Sequence, residues 1–146
     1  MHVHVIAVGK IKERGARELI DDYQKRIGRY ATFHEHELKD AAHEELDERF
    51  RKLIPARAHV LALEVEGKAL SSHDLARLVG RAEDGSVMHL VFLIGGAYGL
   101  PPTSSKAAHE RISLSKLTLP HRLARLVLVE QIYRAFTILR NEPYSH

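Results

Sequence analysis

The stretch His89-Leu90-Val91-Phe92-Leu93-Ile94-Gly95-Gly96-Ala97-Tyr98-Gly99-Leu100 decides how this chain is to be read. Its first six residues are too uniformly apolar to alternate between a core and water. A strand of that kind is buried on both faces and belongs to a largely parallel sheet with helices on each side. It runs straight into three glycines and then Pro101-Pro102. Open α/β sheets bind ligands beyond the carboxyl ends of their strands, where glycines let a backbone approach closely. The spacing is neither G-x-G-x-x-G nor a phosphate loop with its lysine. A plain tight turn and a ligand-binding turn both remain open.

Working outward, Val60-Leu61-Ala62-Leu63-Glu64-Val65 reads as a second buried strand, closed by Gly67, and His2 to Val8 as a third, stopped by Gly9. Residues 33–38 form a fourth candidate, with His34 and His36 on one side. Between the strands lie helical spacings. Ala16, Leu19, Ile20, Tyr23 and Ile27 share one face, and so do Leu46, Phe50 and Leu53 in a helix from about Ala41 that Pro55 ends. Ser71 and Asp74 form a capping box ahead of Leu75, Leu78 and Val79. Strands alternating with helices define an α/β domain, and nothing divides residues 1–146 into more than one.

The last third departs from that rhythm. A short helical stretch is expected over residues 105–111. Next come Ile112-Ser113-Leu114-Ser115-Lys116-Leu117-Thr118-Leu119, an alternation that slips at Lys116. This is an edge strand with Ser and Thr facing water, or a loop whose leucines cup a ligand while main-chain groups bond it. Pro120 opens a helix to about Arg140 that is apolar on most of its circumference. In so small a domain the extra cover is expected from a second subunit. Its polar stripe is Glu130, Arg134, Thr137 and Asn141, at steps of three and four. That stripe is either a solvated face or an arginine aimed at an RNA phosphate or a developing oxyanion.

Composition narrows the function classes. There is no Cys among 146 residues, which removes disulfides, thiol catalysis and Cys-based zinc. His2/His4 and His34/His36 invite a metal, with His43 and His73 in reserve. No H-E-x-x-H or carboxylate-flanked set accompanies them, so no metal is expected. No signal peptide and no membrane span is read, which points to the cytoplasm. Lys plus Arg exceed Asp plus Glu by 22 − 19 = 3, a mild basic balance compatible with an anionic partner such as nucleic acid.

Taken in order, several segments resemble one family: Val8-Gly9-Lys10; Leu61-Ala62-Leu63-Glu64 with Gly67-Lys68; Leu93-Ile94-Gly95-Gly96 with Gly99-Leu100; Ser113 through His121; Glu130-Gln131-Ile132-Tyr133-Arg134-Ala135; and Asn141-Glu142-Pro143-Tyr144. The chain is similar over essentially its full length to the ribosomal RNA large subunit methyltransferase H family of the SPOUT superfamily. The resemblance implies a mostly parallel sheet with helices on both faces and a C-terminal trefoil knot, an exception to the unknotted rule. It also implies a homodimer that binds S-adenosylmethionine and methylates N3 of a pseudouridine in helix 69 of 23S rRNA, acting on the 70S ribosome. Cofactor contacts carry over to Leu63, Gly95, Leu114, Ser115, Lys116, Leu117, Thr118 and Leu119. Substrate handling carries over to Glu130, Arg134 and Tyr144, and catalysis to Arg134, Tyr144 and His146. One departure is visible: Ser145 separates Tyr144 from His146, where the family's tyrosine is followed directly by histidine and a basic residue. The alternative is a knotted RNA-binding or ribosome-assembly protein without catalysis.

Overall fold

The computed structural model describes residues 1–144. Five strands, β1 (His2–Val8), β2 (Thr32–Leu38), β3 (His59–Ala69), β4 (His89–Ile94) and β5 (Glu110–Ser113), make one sheet in the order β2-β1-β4-β3-β5. Every strand pair is parallel. The connecting helices are α1 (Arg14–Ile27), α2 (His43–Leu53), α3 (Ser72–Asp84) and α4 (Pro102–Ala107), and α5 (His121–Leu139) follows the last strand.

The central strands are apolar throughout because each of their faces meets a different core. Val3, Val5 and Ala7 of β1, with Leu90, Phe92 and Ile94 of β4, pack against α1, α3 and α5. Ile6, Val8, Val91 and Leu93 point the other way, toward Leu46 and Phe50 of α2 and toward Leu100 and Ala108. Period-two side chains then give an unbroken hydrophobic run. The expected capping box starts α3: Asp74 N–H donates to Ser71 Oγ at 3.0 Å and Ser71 N–H to Asp74 Oδ2 at 2.9 Å.

Three expectations change. The helix before β5 spans Pro102–Ala107, and residues 110–113, expected to end that helix and begin the alternation, are the edge strand. Residues 114–119 lie beyond that strand, in a loop. Gly67 does not close β3 but lies inside it, where a Cβ would stand 2.7 Å from the Ile112 carbonyl carbon of β5. The β3–β5 register shifts between Leu63 and Lys68, leaving Glu64 to Gly67 bulged out of the ladder. Finally, α5 is covered mainly from within the chain. It packs against both α1 and α3, burying Leu128, Val129, Ile132 and Phe136, while Leu123 stays exposed and Leu126 and Val127 partly so.

Candidate cofactor cup and substrate-handling cluster

The β3 bulge, the turn after β4 and the loop after β5 converge at the carboxyl end of the sheet. Between them lies a cavity of about 190 Å³, lined by Leu63, Glu64, Val65, Ile94, Gly95, Gly96, Gly99, Leu100, Ser113, Leu114, Ser115, Leu117, Leu119 and Ala124. Its β4 wall is a tight turn in which Gly99 N–H donates to Gly96 O at 3.0 Å, with Gly99 at φ +77°. That turn closes backbone against backbone. A Cβ on Gly95 would overlap the Gly99 carbonyl carbon and the Leu100 nitrogen. Gly95 is thus demanded by the turn's own closure; a larger residue there meets the turn before it meets anything in the cavity.

The opposite wall is shaped by its serines. Ser113 Oγ donates to Ser115 O at 3.0 Å, and Leu117 N–H donates to Ser115 Oγ at 2.9 Å. Those bonds fold residues 113–117 so that Leu114, Leu117 and Leu119 reach the cavity, while Lys116 and Thr118 are exposed and stay outside its lining. The other residues carried over as cofactor contacts, Leu63, Gly95, Leu114, Ser115, Leu117 and Leu119, are brought together. The lining is mostly apolar with a few polar groups (Glu64, Ser113, Ser115), which suits a molecule with a flat apolar ring and hydrogen-bonding substituents. Enclosing such a ligand ordinarily takes roughly 300–1,000 Å³. The cup therefore embraces part of it and leaves the rest uncovered.

The polar stripe of α5 forms a second centre. Arg134 donates to Glu130 Oε2 from Nη2 at 2.8 Å and from Nε at 3.1 Å. Tyr144 O–H donates to the same Glu130 oxygen at 3.0 Å, and the Arg134 guanidinium lies 4.7 Å over the Tyr144 ring. Tyr144 is held further by Tyr23 O–H at 3.1 Å and by an edge-on contact with Tyr133 at 4.7 Å. Burial, and then hydrogen bonding to Tyr23 and Glu130, push the Tyr144 phenol well above its ordinary pKa. It is protonated at neutral pH and serves there as a hydrogen-bond donor to Glu130. Thr137, the third member of the stripe, turns inward, buried with its hydroxyl on Arg134 O at 2.7 Å. His146 lies outside the described residues.

Among the described residues, cup and cluster do not meet within one chain. Ala124 lines the cup and Arg134 is ten residues further along α5, about 15 Å at the usual rise. Two more hollows continue along the α3–α5 seam between them, the first sharing Ser113 and Leu114 with the cup and the second lined by Ser72, Arg134 and Tyr144.

Arg125, unremarked in the sequence, ties α5 to the sheet. It is 0% exposed, and Nη1 donates to Glu35 Oε2 at 3.0 Å and Glu37 Oε2 at 2.9 Å. Nη2 donates to Gly9 O at 2.8 Å and to His121 Nε2 at 2.9 Å. Since guanidinium only donates, His121 Nε2 is the acceptor and its ring is neutral. Burial, and then the Arg125 charge, lower its pKa accordingly. Burial alone would raise the Glu37 carboxyl; the Ile11 N–H and the Arg125 guanidinium outweigh it and hold it below the usual range. The signal was present in the sequence as one charged residue inside the apolar run Leu123–Val129, together with Glu35 and Glu37 on the opposite side of β2 from the histidines.

The histidines gather differently from expectation. His2, His4, His34 and His36 are joined by His89, and His43 and His73 take no part in the stack. His2 Nδ1 and His34 Nε2 are 2.9 Å apart, and His4 Nε2 and His89 Nδ1 3.0 Å. Among the described residues no group of three or more His, Asp or Glu converges on a metal position. No helix there is long and apolar enough to cross a membrane.

Comparison with known proteins agrees with the α/β fold. The sequence matches the family described as "Predicted SPOUT methyltransferase" over residues 1–146. A ribosomal RNA large subunit methyltransferase H from Sorangium cellulosum is 48% identical over 146 residues, covering 100% of both chains. The protein of the same name from Geotalea daltonii is 41% identical over 153 residues, again covering 100% of both. Among solved structures, a probable methyltransferase from Bordetella pertussis Tohama I superposes with a TM-score of 0.55 at 14% identity, over 91% of this chain and 95% of that one. A probable methylase family protein from Haemophilus influenzae Rd KW20 gives 0.56 at 9% identity, over 99% and 70%. At such identities these structures bear on the fold alone.

Proposed function

Because this chain belongs to the SPOUT methyltransferases, among the ribosomal RNA large subunit methyltransferases H, we propose that it methylates N3 of a pseudouridine in helix 69 of 23S rRNA on the assembled 70S ribosome, with S-adenosylmethionine as donor. The observation that carries this reading is the cup itself. Three glycines and a serine-folded leucine loop leave a lined cavity where an open α/β sheet places its ligand. A protein that only bound RNA would gain nothing from keeping it.

The residues fit the cofactor. Leu63, Leu114, Leu117 and Leu119 offer an apolar grip for an adenine, and the Gly95–Gly99 turn and Ser115 bring polar groups beside it. When bound, S-adenosylmethionine supplies a methyl group already activated on a sulfonium. What the chain contributes is placement and charge. Holding two reactants in attack geometry is worth roughly 7–11 kcal/mol. Arg134, positioned by Glu130, is suited to the negative charge that spreads to the base carbonyls once N3 loses its proton. Tyr144 contributes an O–H donor and a ring, and the proton goes to another acceptor, either His146 or water.

This reading requires two chains. The cup is too small to enclose the donor, and Arg134, with Tyr144 packed on it, stands about three helical turns from it along α5. A homodimer in which the α5 seam of one copy lies across the cup of the other supplies both the missing cover and the missing cluster. The C-terminal trefoil knot belongs to the same proposal, since the 114–120 loop brings the chain from the sheet edge at β5 back to Gly9 at the end of β1. A soluble cytoplasmic enzyme is the setting this substrate demands.

The decisive experiment incubates the purified protein with labelled S-adenosylmethionine and 70S ribosomes that lack the modification, followed by nucleoside mass spectrometry of the rRNA. N3-methylpseudouridine is the expected product, with poor activity on naked 23S rRNA and a steep loss of activity with salt. Methylation of another base, or equal activity on a short stem-loop, overturns the assignment. Light scattering is expected to show a dimer.

A further inference from the structure

Tyr98 is 85% exposed, more than any other large apolar or aromatic side chain described. It stands at the tip of the turn whose base, Gly95, Gly96 and Gly99, forms one wall of the cup. The tip is not a loose end. Backbone closure at Gly95 and the Gly99-to-Gly96 hydrogen bond fix the turn, so stacking a ligand on Tyr98 would order its side chain but not its backbone. Beside it is a shallow, open hollow of about 510 Å³ lined also by Asp40, Ala41, Ala42 and His43, none of which lines the cup.

The chemistry of this hollow selects among ligands. Its lining brings one aromatic side chain together with two alanines, a composition that suits a flat ring. Asp40 disfavours a phosphate there, and its carboxylate suits the amino edge of a base. Phosphates have a place nearby, since Lys10, Lys12 and Lys39 are exposed where β1 and β2 end, though Glu13 stands among them. His43 Nε2 is buried and has no hydrogen-bond partner among the described residues.

We infer that Tyr98 and the Asp40–His43 hollow form a subsite for a nucleobase flanking the one that is methylated, an unpaired base stacked on the Tyr98 ring. This rests on the RNA-methyltransferase reading above and specifies how that substrate is held. Unstacked bases of single-stranded loops are what proteins read in RNA, and aromatic side chains are their usual platform.

The test is steady-state methyl transfer to unmodified 70S ribosomes by Tyr98→Ala, Tyr98→Phe and Tyr98→Trp, with cofactor affinity measured calorimetrically for each. Tyr98→Ala is expected to raise KM for ribosomes roughly five- to hundredfold, the span of one lost base stack, with cofactor affinity within about twofold of the parent. Tyr98→Phe and Tyr98→Trp are expected to restore KM to within about threefold. An alanine variant with unchanged KM, or Phe and Trp variants as poor as alanine, overturns the subsite while leaving the methyltransferase reading intact. A parent protein that binds the cofactor yet leaves ribosomes unmethylated overturns both.

Discussion

Replacing Arg125 by Met removes the one cation that, among the described residues, joins α5 to the ends of β1 and β2. The side chain is fully buried and donates to four acceptors: two carboxylates, the Gly9 carbonyl and His121. Removing one partner of a buried ionic network usually costs about 3–5 kcal/mol, because the remaining charges are stranded. Here Glu35 and Glu37 keep Arg17, at 2.8 Å and 3.4 Å, and retain some solvent contact. The lower end, about 3 kcal/mol, is therefore expected. For a chain of this size each kcal/mol lowers Tm by roughly 2–4 °C, so the melting point should fall by about 6–12 °C. Arg125→Lys keeps the charge without the planar fork and should lose about half as much. Adding Glu37→Gln to Arg125→Met should return part of the loss, since one stranded carboxylate is gone. The assay is calorimetric melting at fixed protein concentration and neutral pH. A Met variant melting within about 2 °C of the parent, or strict additivity with Glu37→Gln, would refute the account of a coupled buried network.

Three further outcomes are expected. Gly95→Ala should cost about 1–3 kcal/mol through backbone overlap in the turn and weaken S-adenosylmethionine binding at least tenfold; unchanged affinity in the folded variant would detach the turn from the cofactor. His4, 6% exposed, has its pKa lowered from 6.5 to about 4, by burial first and then by His34, His89, His36 and His2. The folded protein then binds fewer protons than the unfolded chain between those values. Stability should be complete above about pH 6.5 and fall by up to about 3 kcal/mol as pH drops toward 4; denaturant midpoints should follow that slope, and His4→Leu should flatten it. Deleting residues 144–146 should leave cofactor affinity within twofold while lowering single-turnover methyl transfer roughly a hundredfold, the weight of a positioned proton-handling group. A truncated protein as fast as the parent would make Tyr144 a structural strut for Glu130 and nothing more.

The layered α/β architecture was legible in the chain because it is written locally. The run His89–Ile94 is apolar at every position, which only a strand covered on both faces tolerates, and the Ser71–Asp74 box marks its helix start within four residues. The leucines and serines of 113–119 were likewise recognisable as a set, as was the Glu130–Arg134 pair at helical spacing. Tertiary structure decided the rest, because it depends on which distant segments meet. Only the packed chain shows that Gly95 is required by backbone closure with Gly99, or that Gly67 lies within β3 to admit Ile112. Only there do Lys116 and Thr118 separate from their neighbours, by a turn that two serine hydroxyls fold. The apolar girth of α5 looked in sequence like a demand for a partner, yet α1 and α3 meet most of it, since a helix between two others on a sheet is covered on three sides. Arg125 is the clearest case. Alone it is one cation in a hydrophobic run; its buried charge is tolerable only because β2, some ninety residues earlier, brings Glu35 and Glu37 to it.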